Sequence, residues 1–178
     1  AVAFVGTEDS TCVLAGFTVM GRECGVECAG SSPTVAHCVL MGSEGPGLVL
    51  FDHSAPVLSH CIVSANAGAG LMMWPRTGGR YTLYNEPLIV NCTIAQNQGA
   101  GIDGGMPVVA DCIICCNGIG AGDPQIQTDR STVTFSDVQG GFPGEGNIDA
   151  DPCFARMGSW DSNGTPDDPN DDFWIAGD

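Results

Sequence analysis

The sequence predicts an all-β solenoid, a parallel β-helix of about six coils, from three observations. A short phrase recurs along the chain, its anchors lie about one coil apart, and no stretch carries the apolar period of an amphipathic helix. The phrase is clearest around Cys38, Cys61, Cys92 and Cys112. A proline stands five residues ahead of each cysteine (Pro33, Pro56, Pro87, Pro107) and an apolar residue three ahead (Val35, Leu58, Ile89, Val109). A second apolar residue follows two positions later (Leu40, Val63, Ile94, Ile114). Degenerate copies flank these four, with Leu14, Phe17 and Val19 upstream and Val133, Ser136 and Val138 downstream. The anchors Phe17, Cys38, Cys61, Cys92, Cys112 and Ser136 are 21, 23, 31, 20 and 24 residues apart.

Each phrase reads as two short strands. Apolar residues two apart share one face of a strand, and the three-residue step before the cysteine implies a one-residue bend between the two. Asn66, Asn97 and Asn117 then stand five residues past their cysteines. Glycine pairs follow and open a third strand: Gly45 and Gly47 before Leu48, Gly68 and Gly70 before Leu71, Gly99 and Gly101 before Ile102. Asn and Gly at fixed offsets predict bends with positive backbone dihedrals. A leucine-rich repeat has a similar period, but its Leu-x-x-Leu-x-Leu framework and helical half are missing. Six coils at ~4.8 Å each rise roughly 29 Å. The anchor cysteines should stack inward as a column of small buried apolar side chains. The β-helix is expected over 1–155, with 156–178 as an irregular acidic, Asp/Asn-rich C-terminal loop or cap.

The net charge of −16 comes from 21 acids against five arginines, with no lysine. Nucleic acids and anionic membrane surfaces need a basic footprint, which this composition excludes. No stretch approaches the ~18 apolar residues of a membrane-spanning helix. Ten cysteines suggest an oxidising compartment, and hence a secreted or cell-surface protein. Parallel Cβ vectors hold the column cysteines too far apart for an undistorted bridge. The disulfide candidates are therefore Cys12, Cys24, Cys28, Cys115, Cys116 and Cys153. The chain starts without methionine, which fits a mature product or a piece of a longer protein.

Two departures from the repeat carry candidate chemistry. The C-terminal run offers Asp161, Asn163, Asp167, Asp168, Asp171 and Asp172 as hard oxygen ligands, a set suited to calcium, although the spacing is not that of an EF-hand. A solvated acidic loop is the plainer reading. The 31-residue coil places Trp74, Arg76, Arg80, Tyr81, Tyr84 and Glu86 in its excess length. In a solenoid such insertions map to one face, often the binding face. Aromatic rings and arginines there fit a polysaccharide or a protein partner. A further set, His37, His60, Asn91 and Asp111, stands just ahead of the anchors. It reads as a column of polar turn residues or, if the imidazoles converge, a metal site.

The phrases "PLIVNCTIAQNQGAGI", "PVVADCIICCNG" and "VTFSDVQGGFPGEGNIDADPCF" resemble right-handed parallel β-helix repeat proteins of the bacterial cell surface. These are pectate-lyase-type solenoids of planctomycete-like and other environmental bacteria. The resemblance covers roughly residues 5–155 and implies a right-handed helix. It spans polysaccharide lyases, hydrolases, adhesins and surface proteins, so it implies fold more sharply than function. A lyase of this type needs a basic proton abstractor beside calcium; here Arg76 or Arg80 would serve, near Asp52 or Asp103. The hydrolase pattern needs an Arg-x-Lys element, which a chain without lysine lacks.

The resulting expectation is a non-enzymatic extracellular structural or adhesive module with no catalytic residues, stabilised by calcium. With no amphipathic capping helix at either end, flanking domains of a longer chain cover the ends, or copies self-associate head to tail into a fibre or surface layer. The alternative is a polysaccharide-binding or lyase-like fragment that uses the 31-residue coil.

Overall fold

The computed structural model describes residues 1–78, 81–118, 123–128 and 130–154, together with the backbone of 159–161 and 173–175. Three parallel sheets of six strands each wrap around one core. The first sheet stacks Val2–Val5, Val26–Ala29, Leu48–Phe51, Leu71–Met73, Ile102–Gly104 and Ile126–Gln127. The second stacks Val13–Ala15, Thr34–Ala36, Val57–Ser59, Leu88–Val90, Val108–Ala110 and Thr132–Thr134. The third stacks Thr18–Val19, Val39–Met41, Ile62–Ser64, Thr93–Ala95, Ile113–Cys115 and Asp137–Val138. One strand from each sheet makes a rung, so the predicted solenoid is observed.

The register explains the recurring phrase. Val35, Leu58, Ile89, Val109 and Val133 are Cα partners in succession and are buried, as are Leu40, Val63, Ile94, Ile114 and Val138. Leu48, Leu71 and Ile102 form the matching inward column of the first sheet. Each fully buried Leu or Ile contributes about 1.5–3 kcal/mol over an exposed one. The prolines stack just ahead of the second sheet, where each carbonyl accepts from the rung that follows, as Val57 N donates to Pro33 O at 3.0 Å. A proline at a strand's first position forfeits no ladder donor.

The bends differ from the expectation in an instructive way. Positive φ does occur at the single-residue bend before each anchor, at Gly16, His37, His60, Asn91, Asp111 and Phe135. After the third sheet, however, it falls on Ala65, Gln96 and Cys116, one residue ahead of the asparagines. Asn66, Asn97 and Asn117 instead turn inward and are buried. The glycine pairs are not positive-φ residues either. A Cβ on Gly70 would stand 2.6 Å from Gly101 O and 3.0 Å from Asn97 Nδ2, so that glycine answers to close approach.

Buried polar ladders line the corners. The Ser43 amide donates to Asn66 Oδ1 at 3.0 Å, the Asn66 Nδ2 to Asn97 Oδ1 at 2.8 Å, and the Asn97 Nδ2 to Asn117 Oδ1 at 2.8 Å. Gln125 closes this run, its Oε1 accepting from Asn117 Nδ2 at 2.8 Å. A second ladder joins Ser31, Ser54 and Asn85. Every member is satisfied, the condition under which a buried polar network is stabilising.

The cysteine column is observed as expected, buried in the core, and its thiols form a third ladder of hydrogen bonds. The thiols of Cys38, Cys61, Cys92 and Cys112 each donate to the carbonyl two residues back, at 3.2–3.4 Å. The Cys61 and Cys92 amides donate to the next rung's sulfur at 3.4 Å, and the Cys112 amide to Ser136 Oγ at 3.1 Å.

The two ends are unlike. At the C-terminal end the chain folds back over the last rung. Phe135 N donates to Glu145 O at 2.8 Å and Val138 N to Ile148 O at 3.0 Å, while Asn147 Oδ1 takes the Ser136 amide at 3.0 Å. Phe142 packs against the core beneath this segment. The expectation that neither end is capped is thus corrected in part for this end: a loop that mimics a seventh corner covers the third sheet and the bend before it, while Ile126–Gln127 and Thr132–Thr134 remain the last strands of their sheets. At the N-terminal end, nothing among the described residues lies over the first rung. Phe17 and Met20 are 59% and 64% exposed there, around a recess of about 400 Å³ lined also by Val2, Leu14 and Val19. The segment expected to be irregular contains an antiparallel pair, Ser159–Asp161 with Phe173–Ile175.

Candidate functional site

The excess length of the 31-residue coil folds as an antiparallel hairpin, Arg76–Gly78 with Tyr81–Leu83, at the corner after the first sheet. Its base is tied to the solenoid. Asn85 Nδ2 donates to the Trp74 carbonyl at 2.8 Å, and His53 Nδ1 to the Tyr84 carbonyl at 2.7 Å. The Arg130 guanidinium lies over the Tyr84 ring, 4.9 Å from its centroid. Glu86 is exposed, and its amide donates to Ser54 O at 3.1 Å. Of the six residues assigned to this coil, the structure therefore places Trp74, Tyr84 and Glu86 around the hairpin base. The side chains of Arg76 and Tyr81, and all of Arg80, lie outside the described residues.

Trp74 borders a groove on the outer wall of the first sheet. Strand alternation turns Glu27, Val49 and Met72 outward in one register column, with Phe51 beside them. With Glu23 and the 54% exposed Trp74 they enclose about 200 Å³. An indole and a phenyl ring beside two carboxylates offer an apolar platform plus hydrogen-bond acceptors. The phrase-by-phrase reading missed Glu23, Glu27, Phe51 and Met72 because they sit outside the phrase. Their outward position was legible only once the first sheet's register was known.

The acidic ligands Asn163, Asp167, Asp168, Asp171 and Asp172 lie outside the described residues, as does the side chain of Asp161. Among the described residues, no three His, Cys, Asp or Glu side chains form a group suited to a metal ion. No helix among them is long and apolar enough to cross a membrane.

No disulfide joins the described cysteines. Cys12, Cys24, Cys28, Cys115, Cys116 and Cys153 are not bridged, and the register shows why for two of them. Cys28 stacks between Phe4 and Leu50, and Cys115 beside Ala95, so neither faces another cysteine across the ladder. Burial pushes the Cys28 thiol up to about 12. Burial, then the adjacent Cys116, does the same for Cys115, also to about 12. The hydrogen bond to Cys92 and then burial raise Cys61. Such thiols stay protonated and unreactive. Packing thus accounts for much of the cysteine count.

The acidic surface is uneven. Across the strands of the second and third sheets, Asp137 is the one charged residue. The single-residue bend between these sheets carries His37, His60, Asn91 and Asp111 outward, all exposed.

Comparison with known proteins bears on the fold. Two structures of QnrB1, a plasmid-mediated fluoroquinolone resistance protein, are similar to this chain. A trypsin-treated form is 9% identical, covering 83% of this chain and 91% of its own, with a TM-score of 0.25. The full-length form is 10% identical, covering 76% and 92%, with a TM-score of 0.21. Likeness at this level says nothing about what this chain binds. No curated protein sequence matches it. The family model for a right handed beta helix region matches residues 7–137, a span that begins before the second strand of the first rung and ends in the last strand of the third sheet. Its matched span, its three stacked sheets and its corner ladders agree: the chain belongs to the right-handed β-helix family.

Proposed function

We propose that this chain is a non-enzymatic structural and adhesive segment of a secreted or cell-surface protein, continued beyond its first rung by further rungs from a preceding part of the full-length chain. The contrast between the ends carries the reading. Terminal repeats of solenoids normally present a polar outer face. The first rung instead has interior character, with Phe17 and Met20 at its rim, while the last rung is partly covered by 142–149. The C-terminal fold-back covers the third sheet and the bend before it, and leaves Ile126–Gln127 and Thr132–Thr134 as the last strands of their sheets; the apolar rim of the first rung is what supports continuation within one chain over a filament. The location rests on the acidic, lysine-free composition and on the surface β-helix resemblance. Calcium at the acidic tail belongs to the same proposal, and a chelator should then lower the melting temperature.

Hydrogen exchange tests the continuation. In the full-length protein the amides of Val2–Val5 and Val13–Ala15 should be as protected as those of Leu48–Phe51. In the isolated 178-residue chain they should exchange at least about 100-fold faster. Equal, fast exchange in both would overturn the proposal. Strong protection in the isolated chain, together with a dimeric mass, would assign the cover to a second copy instead.

The Trp74 groove favours a second reading, adhesion to a glycan. Glu23 and Glu27 at its rim, on a chain of net charge −16, select a neutral rather than an acidic sugar. Tryptophan fluorescence titrated with neutral and with acidic polysaccharides should respond to the neutral set alone. Trp74→Ala should abolish binding in a pull-down on the same insoluble glycans. An equal response to acidic chains, or unchanged retention of the variant, would remove this reading.

A further inference from the structure

We propose that His37 and His60 form a two-imidazole site for a first-row divalent cation of the zinc, copper and nickel class. Both side chains leave the same corner of successive rungs, from backbone at φ 52° and 54°. Their amides are held by the next rung, His37 N to Ser59 O at 3.0 Å and His60 N to Val90 O at 3.1 Å. The corner therefore fixes where the two rings start. The rings stack with centroids 4.9 Å apart and planes inclined by 29°.

Two cis imidazoles bound at ~2.0–2.1 Å need their nitrogens roughly 3 Å apart. Rings already facing each other reach that by rotating about their side-chain torsions, with no backbone movement. Little opposes the rotation: both residues are exposed, and among the described residues the histidine ring that hydrogen-bonds a protein group is His53, at another corner. The surroundings favour a cation. Asn91 and Asp111 continue the same column, and the adjoining strands of both sheets carry no basic residue. Imidazole selects this class of metal over calcium or magnesium, which prefer oxygen. Water completes the coordination, since among the described residues no third protein ligand converges there.

The site is tested on the untagged protein by titration with zinc or nickel, in excess calcium to occupy the carboxylates. His37→Asn and His60→Asn are the variants of choice, because Asn91 already occupies this corner at φ 52°. Each should weaken the tightest binding event by about 10-fold or more, the gain lost when two linked ligands become one. His53→Asn should leave it unchanged. Copper(II) spin resonance gives an independent readout: two equatorial nitrogens in the parent protein and one in either variant. Unchanged affinity in both variants, an equal loss with His53→Asn, or a single nitrogen in the parent would overturn the proposal.

Discussion

The first and last rungs are built from the same phrase, yet one end is open and the other is partly covered by the chain folding back. The corner hydrogen bonds show what the C-terminal fold-back satisfies. Gly21 N donates to Ser43 Oγ and Ser31 N to Ser54 Oγ, each toward the following rung. Asn66, Cys61 and Cys112 donate in the same direction. These donors point to the C-terminal side, while the residues that follow them, such as Ser32, Ala67 and Gln98, donate back to the preceding rung. At the N-terminal end they are already satisfied by the second and third rungs. At the other end the Ser136 amide would be orphaned without Asn147. An unpaired buried N–H is rarer and less tolerable than an under-satisfied carbonyl. The fold-back thus sits where the Ser136 amide faces.

The largest break in this comparison should come from Asn147→Ala. It removes the acceptor for Ser136 N and the Nδ2 bonds to Val133 O, at 2.9 Å, and Phe142 O, at 3.2 Å. Leaving such groups unpaired costs about 1–3 kcal/mol. Chemical denaturation should show that loss, with faster amide exchange confined to Thr132–Thr134 and Asp137–Val138. A loss below about 0.5 kcal/mol would mean the loop does not close the end. The smallest effect sharpens the contrast from the other side. Phe17→Ser removes a 59% exposed ring at the open rim, so in the isolated chain stability should stay within about 0.5 kcal/mol. Binding of an apolar dye should fall with it. A large destabilisation would show that Phe17 is already packed.

The second and third sheets were legible because their signal is local. Val35 and Leu40 straddle Cys38 at fixed offsets, and a one-residue bend follows from counting. The polar ladders were not. That Asn97 turns inward depends on Asn66 and Asn117 lying one rung away on either side, a relation between residues 20 and 31 positions apart. The positive φ assigned to the asparagines belongs to Ala65, Gln96 and Cys116, residue types that give no hint of it. The closing segment escaped notice because Phe142 and Asn147 repeat nothing. Likewise, the Trp74 groove draws Glu23, Val49 and Met72 from three different rungs, and only the register brings them together.

Stacking successive rungs along one axis also sets how the protein bears load. Tension applied along that axis falls on the inter-rung hydrogen bonds in series, so the coils would detach one after another, not all at once. A 23-residue coil releases ~80 Å of contour, and the 31-residue coil ~108 Å, at ~3.5 Å per residue. The hairpin would therefore appear in a force–extension trace as one long step among shorter ones, a built-in marker of the fourth rung.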